Sequence, residues 1–159
     1  MRMNKCFFCK NYADKERILF ENDSFYSRFD DFPVSAGHLL VIAKRHTDSI
    51  LDLTKKEWEE LLAVIKENLD IIEQTDLPKL YKGLLEKTVD SKAIPYLEKA
   101  LRQADQNKNN EGFNIGVNEK EAAGQSIPHL HIHVIPRFLR DVNNPRGGVR
   151  NILDNIRSY

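Results

Sequence analysis

Three histidines fill every second position of the segment HLHIHVIP, residues 129–136, and the residues between them are Leu130, Ile132 and Val134. Successive side chains of a β-strand point to opposite faces, so the spacing predicts a row of His129, His131 and His133 backed by an apolar face. Cα atoms in such a row stand about 6.5–7 Å apart, and protonated rings at that spacing repel, so the row is costly unless the imidazoles stay neutral and engaged. Neutral imidazoles bind metal ions or attack electrophiles. The strand therefore leaves three readings open: a catalytic metal held by His-x-His and a third ligand, a phosphate site with one nucleophilic histidine, or a mixture of the two. A metallohydrolase would want Asp or Glu ligands close by, and this strand supplies none.

Upstream, the segment AAGQS (122–126) favours phosphate. Gly124 permits close backbone approach, Gln125 brings an amide and Ser126 a hydroxyl, a donor set suited to phosphate oxygens. The only other histidines are His38 and His46, one at the start of an apolar run and one just past its end. The only two cysteines, Cys6 and Cys9, have C-x-x-C spacing, which in a reducing compartment points to metal or redox chemistry before a structural disulfide.

These groups need a scaffold. The chain has 159 residues, 41% hydrophobic and 30% charged, which predicts one domain (1–159) with a real core. Its 24 basic and 24 acidic residues cancel, so nothing draws it to nucleic acid or to an anionic membrane. No run of 18 apolar residues occurs and MRMNKCFFCK lacks the apolar segment of a secretion signal, so a cytoplasmic protein with reduced thiols is expected.

The segments ILFEND (18–23) and FYSRFD (25–30) predict a hairpin, and GHLLVIAK (37–44) a buried strand. Thr54 and Glu57 form a capping box for a long helix whose stripe of Trp58, Leu61, Leu62, Ile65, Leu69 and Ile72 reads as core. Residues 75–95, punctuated by Pro78, Gly83 and Pro95, read as short helices or loop leading to a second helix at about 95–105. QNKNNEG (106–112) is a polar break, GFNIGVN (112–118) a strand, and the histidine strand comes next. Strands, helices, then strands means α+β, with an antiparallel sheet covered by helices on one side.

With these motifs in order, the chain resembles the histidine triad (HIT) family. The likeness is carried by His129-Leu-His131-Ile-His133-Val-Ile, by GFNIGVNEKEAAGQSIP upstream of it, by Asp30 and Pro33 followed by VSAGHLLVIAKRH (34–46), and by Cys6-Phe-Phe-Cys9. Residues 74–95 look like an insertion relative to compact members. The resemblance implies a five-stranded antiparallel sheet, a homodimer, and action at the α-phosphate of a purine nucleotide. It makes His131 the nucleophile that carries the nucleotide, with His133, Gln125 and Ser126 handling phosphate oxygens or the leaving group. It also implies that His38 orients His131, that Asn118 donates to the phosphates, and that Asp30 holds the ribose hydroxyls. Phe7, Phe8 and the backbone beside Asp31 would line the base pocket.

A subset of the family carries structural zinc, and the resemblance assigns Cys6, Cys9, His46 and His129 to it: a closed Cys2His2 set that anchors rather than reacts. The stretch 136–153 is similar to the tail of dinucleoside polyphosphate hydrolases, with Arg146, Gly147, Gly148 and Arg150 beside the site. The expected activity is hydrolysis to a nucleoside monophosphate. A nucleotidyltransferase of the same family and a nucleotide-binding regulator without turnover are the alternatives, and zero net charge speaks against a zinc-based nucleic-acid binder.

Overall fold

Strand β2 (Phe25–Phe29) and strand β3 (Leu39–Ala43) are buried at every position. Both faces of the sheet are therefore covered at its centre, which is why LLVIA reads as a continuous apolar run instead of an alternating one. The computed structural model describes residues 6–107, 109–146 and 148. Its five strands form one antiparallel sheet in the order β1 (Phe20–Glu21), β2, β3, β5 (His131–Arg137), β4 (Gly112–Gly116). The expected five-stranded α+β architecture is what the chain adopts.

β1 is shorter than the segment 18–23 because Asn22 turns the chain at once: its Oδ1 accepts from the backbone N–H groups of Ser24 at 3.1 Å and Phe25 at 2.8 Å. Helix α1 (Phe7–Ala13) lies on one face of the sheet, where Cys6, Phe8, Tyr26, Leu40 and Ile42 form a small core. The long helix α2 (Lys55–Gln74) covers the other face, packing Leu61, Val64 and Ile72 onto Phe25, Leu39, Val41, Ile132 and Val134.

Both bonds of the predicted capping box are present: Thr54 Oγ1 accepts from Glu57 N–H at 3.3 Å, and Glu57 Oε2 accepts from Thr54 N–H at 2.7 Å. The core stripe differs in part from the expectation. Trp58 and Leu62 are 47% and 63% exposed, while Val64 and Asn68 face the sheet. Asn68 is tolerated there because its side chain is satisfied, accepting from Ser27 Oγ at 2.7 Å and donating to Val64 O at 2.7 Å.

Of the two readings for residues 75–95, short helices or loop, the chain takes short helix over Leu77–Lys87. Pro78 lies in the first turn of helix α3 (Leu77–Lys87), where a missing N–H costs nothing, and Asp76 caps it by accepting from Lys79 N–H at 3.0 Å. Pro95 likewise starts helix α4 (Ile94–Gln106). The two helices share a core of Tyr81, Leu97, Ala100 and Ala104 with Ala36 and Phe138. Among the described residues, no helix is long and apolar enough to cross a membrane.

Candidate active site and metal centre

Cys6 sits at the N-cap of α1 and Cys9 in its first turn, so both thiols lie on one side of the helix. His46 follows β3, and His129 precedes β5 instead of belonging to it; Leu130 N–H donates to Thr47 O at 2.6 Å. This lead-in swings the His129 ring out of the strand row and toward α1. Cys6 Sγ and Cys9 Sγ stand 3.3 and 3.5 Å from His129 Nδ1, Cys9 Sγ is 3.5 Å from His46 Nδ1, and the two Nδ1 atoms are 3.3 Å apart.

Ligands held about 2.0–2.3 Å from a tetrahedral ion stand roughly 3.3 Å apart for two nitrogens and roughly 3.5 Å apart for nitrogen and sulfur. The donor set and its spacings are therefore compatible with a metal ion. His129 Nε2–H donates to Ala43 O at 2.6 Å, which leaves Nδ1 as the lone pair facing the thiols. Burial pulls the His129 ring down to about 4, keeping it neutral. Burial, with a contribution from Cys6, pushes the Cys9 thiol up to about 11, so an ion must displace a proton to bind there.

His131 and His133 remain in β5, paired with Ile42 and Leu40 of β3, their ring centroids 5.1 Å apart. His131 Nδ1–H donates to the His129 carbonyl at 2.8 Å. That bond assigns the proton to Nδ1 and leaves Nε2 with its lone pair free. His131 and His133 line a cavity of about 470 Å³ with Phe7, Arg28, Asp30, Asp31, Phe32, Leu40 and Ser126. A larger cavity of about 720 Å³, between the ends of α2, α3 and α4, contains Glu73, Asp76 and Asp105 but no histidine, and no groups converge there as they do here.

His38 is nearly fully buried beside the row. Its expected role was to orient His131; instead its Nε2 meets His133 Nδ1 at 3.0 Å, while the His131 Nδ1 partner is the backbone. On its other side His38 Nδ1 accepts from Val34 N–H at 3.4 Å and lies 3.4 Å from Asp30 Oδ2. Asp30, His38 and His133 thus form a chain with two proton arrangements. When His38 Nδ1 accepts from Val34, Nε2–H donates to His133 and His133 Nε2–H is left as a donor; when Nδ1–H faces Asp30, the direction reverses.

These three residues also gather ligand atoms within 4.8 Å of one another, but the closest contacts to Asp30 and His133 involve opposite nitrogens of the His38 ring, so they form a relay more readily than a chelate. Burial, ahead of the neighbouring His38 and His131, pulls His133 down to about 4, and burial also lowers His38, so both rings are neutral near pH 7.

The structure separates the other expected site residues. Asp30 and Ser126 reach the cavity. Gln125 does not: its Nε2 donates to Asp48 O at 2.7 Å and its Oε1 accepts from Lys120 N–H at 3.0 Å, so the amide ties its own loop to the β3–α2 connection. Gly124 (φ +87°) caps a short 3₁₀ turn, Glu121–Ala123, in a left-handed conformation that favours glycine. Gly124 and Asn118 lie near each other but away from the cavity walls.

Phe7 and Phe8 both line the cavity. Phe7 is 48% exposed at the cavity mouth, whereas Phe8, 2% exposed, wedges between His129 and His131 with ring centroids at 5.7 and 5.1 Å. Arg146 is exposed and does not line the cavity, and Gly147 and Arg150 lie outside the described residues. Sequence reasoning missed Arg28, which is buried beneath the cavity and donates to both Asp31 carboxylate oxygens, at 2.9 and 2.7 Å. An arginine between Ser27 and Phe29 in a strand of otherwise apolar and small residues was the available signal.

A family model described as the HIT domain matches residues 12–139. The chain belongs to the HIT family. Among its HIT relatives, an adenylylsulfatase from Arabidopsis thaliana is 30% identical over 140 residues, covering 87% of this chain and 55% of that protein. An AP-4-A phosphorylase from Mycobacterium tuberculosis is 28% identical over 119 residues, covering 74% of this chain and 45% of that one. The HIT chain thus spans about half the length of these two enzymes. A solved structure from Streptococcus mutans matches with a TM-score of 0.57 at 28% identity, covering 91% of this chain and 73% of the other.

Proposed function

We propose that this chain is a nucleotide hydrolase acting at the α-phosphate of a purine nucleotide, with His131 as the nucleophile. The single observation that carries the reading is the His131–His129 bond, which engages Nδ1 and leaves Nε2 as the nitrogen available to attack beside a cavity of nucleotide size.

In this reading, His131 Nε2 attacks the α-phosphorus, and the bond from phosphorus to the leaving group breaks with its electron pair going to that group. His133, in the arrangement with Nε2–H outward, donates to a non-bridging oxygen or to the departing atom, and Ser126 Oγ adds a second donor. Water then attacks phosphorus, the P–N bond breaks back onto His131, and a nucleoside monophosphate leaves. Asp30, whose Oδ1 accepts from Phe32 N–H at 2.9 Å, keeps acceptor capacity for ribose hydroxyls. Phe7 offers an aromatic face to the base, while Phe8 holds the nucleophile's flank. Gln125, Gly124 and Asn118 act by shaping the loop that presents Ser126.

Zinc at Cys6, Cys9, His46 and His129 is the proposed metal, and when bound it supplies structural cross-linking between α1 and the lead-in to β5 rather than Lewis acidity. A homodimer is proposed from the family resemblance, with the exposed Trp58 and Leu62 of α2 and Ile115 of β4 available for it.

A second reading, nucleotidyl transfer, is favoured by the relative named as a phosphorylase. Incubation with diadenosine tetraphosphate and orthophosphate separates them: AMP with ATP as the leaving group supports hydrolysis, and ADP with ATP, the ADP formed by phosphate attack on nucleotidyl-His131, supports transfer. Neither product from a panel of polyphosphates, phosphosulfates and phosphoramidates, despite AMP binding, would establish the non-catalytic reading.

A further inference from the structure

The loop between Asp30 and His38 is held from outside the sheet. Its backbone N–H groups at Ala36 and Gly37 have no strand to pair with, and both are met by side chains of the two later helices. Gly37 N–H donates to Tyr81 Oη of α3 at 2.7 Å, and Ala36 N–H donates to Gln103 Oε1 of α4 at 2.7 Å. Ser35 Oγ lies 3.2 Å from the same Gln103 oxygen and donates to Pro136 O of β5 at 2.6 Å. Nearer the cavity, Tyr96 of α4 stands edge-on to Phe32, centroids 5.6 Å apart.

Gly37 adopts φ +82°, and a Cβ there would meet Ile72 and Pro136 at 3.1 Å and Leu77 at 3.4 Å. The turn is thus clamped among α2, α3, α4 and β5, one residue before His38. Tyr81 and Ala36 are both fully buried, so water does not replace these bonds if they are lost.

We propose that helices α3 and α4 are a positioning device for this loop, with Tyr81 and Gln103 as positioning residues that hold His38 against His133. Neither side chain touches the cavity; each acts through the backbone that leads into His38. The His38–His133 contact of 3.0 Å is one hydrogen bond long, so a displacement of about 1 Å breaks it. His133 Nδ1 then loses the partner that couples its proton position to His38, and the Nε2–H arrangement is no longer tied to the bond that His38 Nδ1 accepts from Val34. The kinetic consequence rests on the proposed nucleotide-hydrolase reading; the effect on the histidine pair does not.

The test compares Gln103→Leu, Gln103→Glu and Tyr81→Phe, each checked by thermal melting to be folded. Leu removes the acceptor at similar size, while the Glu carboxylate keeps it. Gln103→Leu and Tyr81→Phe are each expected to lower kcat about tenfold with KM nearly unchanged. The imidazole ¹⁵N signals of His133 should shift, with the larger change at Nδ1 as its His38 partner is lost, and Gln103→Glu should restore both readouts. Unchanged kcat and His133 signals in Gln103→Leu would overturn the proposal, and so would an equal loss in Gln103→Glu, since that would mark plain packing. If the wild-type protein turns over no nucleotide, yet the His133 signals respond in this pattern, the hydrolase reading fails and the positioning device stands.

Discussion

The carbonyl oxygen of His129 accepts the Nδ1–H of His131 at 2.8 Å, while the His129 ring faces the two thiols. One residue thus belongs to both centres: its side chain to the proposed metal set, its backbone to the proposed nucleophile. Anything that anchors the His129 ring also fixes the carbonyl that sets the His131 tautomer.

Replacing His131 with Ala is expected to lower turnover by about 10⁴-fold or more while AMP affinity stays within about threefold, because only the group that bonds to phosphorus is removed. Quenched-flow assays with AMP titrations measure both, and mass spectrometry of base-quenched wild-type reactions, in which the acid-labile P–N bond survives, looks for nucleotidyl-His131. Near-full activity in His131→Ala would remove the mechanism.

Elemental analysis of freshly reduced protein is expected to find about one zinc per chain, lost in Cys9→Ala. The same substitution or a chelator should lower the melting temperature, since the binding energy of a structural site is folding energy. Turnover should fall with it, through loosening of His129 and Phe8. Metal-free protein of unchanged stability and activity would contradict this.

Stability should depend on acid through His133. Its folded-state value of about 4 lies below the ordinary 6.5, so between these limits the unfolded chain binds the extra proton and the folded one does not. The contribution is intact above pH 6.5 and is lost as pH falls toward 4, at no more than about 1.4 kcal/mol per pH unit. Urea unfolding at pH 7, 6 and 5 should give a shallower acid slope for His133→Gln than for wild type. Identical slopes would show that burial does not hold this ring neutral.

Gln125→Ala should act on the loop and not on phosphate directly. Its bonds to Asp48 O and Lys120 N–H are lost, so KM and kcat should both worsen by a few-fold rather than by the roughly 10²–10³ typical of a lost transition-state donor. Steady-state kinetics decides this, and a 10³-fold drop confined to kcat would return Gln125 to the phosphate site.

Leu62→Glu places a charge on the exposed face of α2 and is expected to convert a dimer into a monomer by sedimentation analysis without unfolding the chain. Wild-type protein sedimenting as a monomer at all concentrations would dismiss the dimer.

The sequence by itself determined the alternation that sets His131 and His133 on one face of a strand, the Thr54–Glu57 cap, and the C-x-x-C pair, because each depends on residues within a few positions of one another. Tertiary structure decided which groups meet. His38 bonds to His133, 95 residues away, because β3 and β5 pair in one particular register, and no local pattern encodes that choice. Gln125 turned from the cavity because the β3–α2 connection offered the Asp48 carbonyl, and Phe7 parted from Phe8 because one helical step separates solvent from the sheet. Pro78 and Pro95 read as breaks along the chain, yet each opens a helix, since a proline is harmful within a helix and harmless in its first turn, and only the folded core of Tyr81, Leu97 and Ala100 settles which applies.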